Sequence, residues 1–238
     1  MSARTSLIAA CLGAALVVAA VADAQPYALD AREDATIGSH PGTLRVGDNG
    51  LVFEAKEPKN SRRWNLDEVR QFRIESSRRV VIETYHSHGW RHAGRSRTYR
   101  YGTASPIPRE LVAFLLTRLS RPLVTAVLPP RATSVGLSVL VNHEGTDTAG
   151  TLVLYDDGLA FETTRDGYAR FWRFADLDAV LRQDQFRLYV AAYEGSREHV
   201  RPFVFTLKQD LPSALYDRLW SRLNGRSARP GDPRIRED

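Results

Sequence analysis

Short runs in which apolar and polar residues alternate cover most of this chain, and the same series of runs occurs twice. In the first half, residues 43–46 and 51–55 alternate around Gly47-Asp48-Asn49-Gly50, the composition of a tight hairpin turn. Further strand-like runs fall at residues 63–66, 69–74, 80–85 and 98–101. The second half matches with 171–174, 179–182, 187–193 and 202–207, and with Asp156-Asp157-Gly158 at the turn. A leading strand is expected before each series, most clearly at 135–141. After each series the apolar period becomes helical: Leu111, Leu115 and Leu119 recur at one spacing, as do Leu215, Leu219 and Leu223, with Phe114 and Trp220 widening the stripe. Pro108 and Pro212 suit the first turns of these helices, where a missing N–H is not needed. The pattern predicts a mainly β fold in which each half closes with one amphipathic helix.

The two halves are copies of one module. Gly42-Thr43-Leu44 recurs as Gly150-Thr151-Leu152, and residues 48–54 recur as 156–162. Arg62, Trp64 and Tyr85 recur as Arg170, Trp172 and Tyr193. All of these share one offset of 108 positions; from Tyr99, which matches Phe203, the offset is 104. The first copy therefore carries a short insertion between Tyr85 and Tyr99. A register kept over this length is the mark of an internal duplication.

The first segment stands outside the repeat. Arg4 precedes an apolar run over residues 7–22, which ends in Ala22-Asp23-Ala24, the order of a secretory signal peptide. Ile8-Ala9-Ala10-Cys11 has the look of a lipobox, but most of the apolar run follows Cys11, so lipidation is not expected. Cleavage after Ala24 leaves a chain with no transmembrane span. It also removes the only cysteine, so disulfides and a thiol nucleophile are excluded, and a periplasmic location is favoured over an extracellular one. The resulting organisation is a signal peptide at 1–24, a first domain at 25–121, a Pro-containing linker at 122–133, a second domain at 134–224 and a disordered tail at 225–238. The net charge of +5 is carried almost wholly by arginines spread along the chain, and with an export signal it predicts no nucleic-acid partner.

Several strands followed by one C-terminal helix, with Gly42 to Val46, Gly50 to Glu54 and Trp64 to Val69 repeated at Gly150, Gly158 and Trp172, resemble the pleckstrin-homology (PH-like and GRAM-like) domains. The resemblance implies two partly open β-barrels, each of two nearly orthogonal sheets and capped by its helix. It also implies binding of membranes, peptides or proteins without catalysis. Members that bind phosphoinositides use basic residues in the first hairpin loop. Here that loop reads Gly38-Ser39-His40-Pro41 in one copy and 142–148 in the other, without Lys or Arg, which removes the inference at that place.

The insertion region holds the densest candidate chemistry. His86, His88 and His92 could present imidazoles to zinc or copper. Trp90 with Arg91, Arg95, Arg97 and Arg100 could hold an anionic lipid, a glycan or an acidic partner surface. Trp64 and Trp172 read as core, with Arg62 and Arg170 covering them or pairing with Glu54 and Glu162. No hydrolase elbow, His-Glu-x-x-His helix or phosphate loop is present. The expectation is a non-enzymatic periplasmic binding or scaffold protein, needing no cofactor, that engages a protein or peptide. The alternatives are an anionic envelope component or a His-based metal site at residues 86–97.

Overall fold

The computed structural model describes residues 27–35, 38–85, 97–132, 136–143, 146–194 and 200–225. The first copy runs β1 (Tyr27–Asp34), β2 (Ser39–Gly47), β3 (Gly50–Ala55), β4 (Arg62–Trp64), β5 (Val69–Ser76), β6 (Arg79–Thr84), β7 (Arg97–Thr103) and α1 (Arg109–Arg118). A short strand β8 (Leu123–Thr125) follows. The second copy runs β9 (Gly136–His143), β10 (Thr146–Leu154), β11 (Gly158–Glu162), β12 (Arg170–Arg173), β13 (Leu177–Asp184), β14 (Arg187–Ala192), β15 (Arg201–Leu207) and α2 (Ser213–Asn224). No helix among the described residues is long and apolar enough to cross a membrane.

Each copy forms one continuous sheet, in the orders β4-β3-β2-β1-β7-β6-β5-β8 and β12-β11-β10-β9-β15-β14-β13. Among the described residues no ladder joins β4 to β5 or β12 to β13, so neither sheet closes into a barrel; in place of the two sheets expected for each partly open barrel, each copy has one. The strands are also longer at the first hairpin than the sequence suggests: β9 runs through His143 and β10 resumes at Thr146.

The glycines of the repeated Gly-Leu motif answer to one close approach. A Cβ at Gly50 would collide with the carbonyl oxygen of Trp64, and one at Gly158 with that of Trp172. Each glycine lets the β3–β4 or β11–β12 pair close beside its tryptophan. The ring contacts repeat as well. Trp64 meets Tyr99 at 4.8 Å and Trp172 meets Phe203 at 4.9 Å; Phe53 meets Tyr101 at 4.8 Å and Phe161 meets Phe205 at 5.7 Å.

The leucine stripes of both helices pack on their sheets: Leu111, Leu115 and Leu119 are buried in the first core and Leu219 in the second, with Leu215 and Leu223 partly buried against it. Trp220 does not widen its stripe as expected: it is 50% exposed, whereas the matching Leu116 is buried. Leu116 is covered because the second copy packs there.

That junction is built from both copies and from the segment between them. Residues 122–132, expected as an extended linker, begin with β8, which adds parallel to β5 and so belongs to the first sheet. Val153, Ala160 and Phe171 of the second copy are part of the first hydrophobic core. The Ser77 N–H and hydroxyl both donate to Asp166, and Arg131 pairs with Asp157 while lying over the Phe171 ring. Arg109 donates to the carbonyls of Leu128 and Pro129, which pins the connecting chain to α1.

Candidate functional site

At one end of the first sheet, β1, β3 and β6 finish where β2, β4 and β7 begin. Side chains alternate along each strand, and the inward-facing positions nearest this end are Glu33, His40, Arg62, Thr84, Arg97, Tyr99 and Tyr101. The matching positions of the second copy are Val141, Thr148, Arg170, Ala192, Arg201, Phe203 and Phe205. Four of these seven positions, all polar in the first copy, are apolar in the second: Val141, Ala192, Phe203 and Phe205.

Glu33 and Tyr101 sit opposite each other across the β1–β7 ladder, as Val141 and Phe205 do across β9–β15. Glu33 is 5% exposed and Tyr101 fully buried, yet among the described residues the Glu33 Oε2 and the Tyr101 hydroxyl have no hydrogen-bond partner. Burial first, then the Glu33 charge, hold the Tyr101 hydroxyl well above the ordinary phenol range, against the pull of Arg62 and Arg97. The phenol is therefore a hydrogen-bond donor at any physiological pH. Each buried orphan costs about 1–3 kcal/mol, a cost the second copy avoids with a valine and a phenylalanine.

The walls of this end are fixed. The Arg62 Nη1 donates to the carbonyls of Lys59 and Ser61, in the pose that Arg170 repeats toward Gly167 and Ala169. Arg97 lies over the Tyr99 ring at 5.2 Å, and Tyr99 in turn packs on Trp64. His40 Nδ1 is 3.1 Å from the Asn60 amide nitrogen. The end thus combines a carboxylate oxygen and a phenol with free hydrogen-bonding capacity, an aromatic wall and two guanidinium groups. Such a set suits a ligand group that donates to Glu33 and accepts from Tyr101.

The second copy closes the same end internally. The Glu194 carboxylate accepts from Trp172 Nε1 at 2.5 Å and from Arg170 Nε at 3.3 Å, with Glu194 and Arg170 both buried. This corrects the expected partners of the repeated arginines: Glu162 accepts instead from the Tyr155 hydroxyl, and Glu54 from Arg45. The residue matching Glu194 in the first copy is His86.

Of the residues singled out from the sequence, His86, His88, Trp90, Arg91, His92 and Arg95 lie outside the described residues. Arg97 and Arg100 are both on β7 and exposed, but strand alternation separates them: Arg97 belongs to the inward face at the rim of the polar end and Arg100 to the outer face. Among the described residues no group of three or more His, Cys, Asp or Glu side chains could hold a metal ion. Glu33 and Tyr101 escaped the sequence reading, although extending the self-comparison upstream of Gly42 sets Glu33 against Val141.

No family model matches the chain. No curated protein matches it in sequence. Among solved structures, that of the Spt16D Pob3N heterodimer is similar over 78% of this chain and 98% of the other, at 14% sequence identity and a TM-score of 0.30.

Proposed function

We propose that this chain is a non-catalytic, exported binding or scaffold protein of two PH-like modules, whose first module takes a protein or peptide partner at its polar end. The second module, closed by its own ion pair, is the frame that holds the first. What carries the reading is the unpartnered Glu33 and Tyr101 pair, buried where the sister module has Val141 and Phe205. Polar groups kept in a core at a cost in stability are expected where a ligand completes them. A peptide amine, guanidinium or amide fits, because it donates to Glu33. The assignment to a PH-like fold draws on seven strands in one order and a closing helix, in both copies. A second reading, an anionic envelope lipid or glycan, draws on the exposed guanidinium of Arg97 at the same rim.

The test is recovery of the tagged chain from its own cell envelope beside the double variant Glu33→Val and Tyr101→Phe, which gives the first copy the second copy's core. The variant is expected to gain about 2 kcal/mol in urea denaturation, because two orphaned groups leave the core. It is also expected to lose a protein or peptide that the unaltered chain retains. A partner kept equally by the variant overturns the site. A lipid or glycan released by moderate salt replaces the first reading with the second.

A further inference from the structure

The first sheet has eight strands and the second seven, and the difference falls at one edge. β8 lies parallel to β5, with Phe72 beside Leu123, Arg73 beside Val124 and Ile74 beside Thr125. The Ala126 N–H donates to the Ile74 carbonyl at 2.8 Å. Leu123, Val124 and Thr125 are all buried there. The matching residues of β13 are Val180, Leu181 and Arg182, and among the described residues no strand pairs with their outer edge. Leu181 is 53% exposed and the strand beyond it is exposed to its end.

β13 keeps the geometry that accepts a strand. Bulges and charges commonly protect an edge, but the irregularities of β13, between Leu177 and Ala179 and between Arg182 and Asp184, fall at the same places as those of β5. β5 receives β8 on the regular stretch between them. The neighbouring helix surface is free as well. Leu116 is buried in the junction, where its carbonyl accepts from Arg173, and its counterpart Trp220 is half exposed. Since β8 and Leu116 both meet the second copy around β12, the β13 edge and Trp220 share one face of the second module.

The sequence of the chain's own tail does not match that of β8. At the positions matching Leu123, Val124, Thr125 and Ala126 it has Ser227, Ala228, Arg229 and Pro230. The large aliphatic pair is gone, and proline has no N–H to give the strand. We infer that the free edge of β13 takes an extended segment of a partner polypeptide, running parallel to β13 and carrying two adjacent large aliphatic residues with no proline three positions after the first. The ladder supplies affinity and the aliphatic pair supplies register. This surface is on the other module from Glu33, so either site can fail without the other.

The probe is a fluorescent peptide with the sequence of residues 121–128, added to the mature chain. Saturable binding is expected, with slowed amide exchange at Val180 and Arg182 and no change at Phe72 and Ile74. Peptides carrying Leu123→Asp or Ala126→Pro should bind at least tenfold more weakly, as should the unaltered peptide to an Arg182→Pro chain. Because the peptide controls leave the protein untouched, a poorly folded variant cannot imitate the result. The inference is overturned by no saturation up to about 1 mM, by equal binding of the control peptides, or by changes at β5 in place of β13. It is equally overturned if Val180 and Arg182 exchange slowly in the free full chain and quickly in one ending at Gly225, which would put the tail on the edge.

Discussion

Glu194→Ala should lower the stability of the second module by about 3–5 kcal/mol, the range for breaking a buried ion pair from one side. The carboxylate is nearly inaccessible and joins two groups that are themselves buried, the Arg170 guanidinium and the indole N–H of Trp172. Among the described residues, removing it leaves a positive charge held only by the carbonyls of Gly167 and Ala169, and an indole N–H with no acceptor. Two further variants separate charge from hydrogen bonding. Glu194→Gln keeps an acceptor for Trp172 and is expected to fall between the alanine variant and the parent. Replacing both Arg170 and Glu194 by methionine removes the charge pair as a unit and should recover most of the loss. Urea denaturation followed by tryptophan fluorescence reads all three. If the alanine variant unfolds like the parent, the network is not what closes this end of the second module. The contrast on which the first module's site rests, one end sealed and one left with unmet hydrogen bonds, would then weaken.

The duplication, the strands and the closing helices were legible because they rest on local periodicity and on glycines that only a close approach explains. Trp64 and Trp172 were rightly read as core: both are buried and pack at a tilt against an inward ring of β7 or β15, Tyr99 and Phe203. What escaped has a common cause, which is dependence on contacts distant in sequence. Glu33 alternates correctly along β1, but a glutamate on a half-polar strand reads as facing solvent until Tyr101 is placed beside it. Leu123 to Thr125 are too few to announce a strand between prolines, and only the edge of β5 makes them one. Trp220 sits one residue from a true stripe position, so the helical period alone could not separate an interior position from an outward one. Arg170 chose Glu194, across the sheet end, over the nearer Glu162. The insertion of the first copy was recognisable by its composition, and its neighbours Arg97 and Arg100 show how alternation divides a cluster that looks continuous in the sequence.

Arg173→Ala is expected to uncouple the two modules, with a loss of about 3–5 kcal/mol and a broadened or split calorimetric transition. A guanidinium has five N–H donors, and this one places three bonds across the junction and two within its own copy. Nη1 donates to the carbonyls of Leu116, in the last turn of α1 where helical carbonyls have no partner of their own, and of Leu119, and Nη2 to that of Arg121, both just past the helix. Nε and Nη2 hold the buried Asp176 at 2.7 and 2.8 Å. Lysine should not restore the parent, since a single ammonium cannot reach both the helix end and the carboxylate. The deficit should also depend on pH in a definite sense. Burial already holds the Asp176 carboxyl above the usual carboxylate range, although Arg173 pulls it down. Without Arg173 the carboxyl rises further, and a group whose folded pKa is raised contributes its stability below the unfolded value and loses it as pH rises through the folded one. The Arg173→Ala deficit should therefore be largest near neutral pH and shrink toward about pH 4. Asp176→Asn in the same background should flatten that dependence. A deficit that stays constant with pH would mean that the helix carbonyls, and not Asp176, are what Arg173 stabilises.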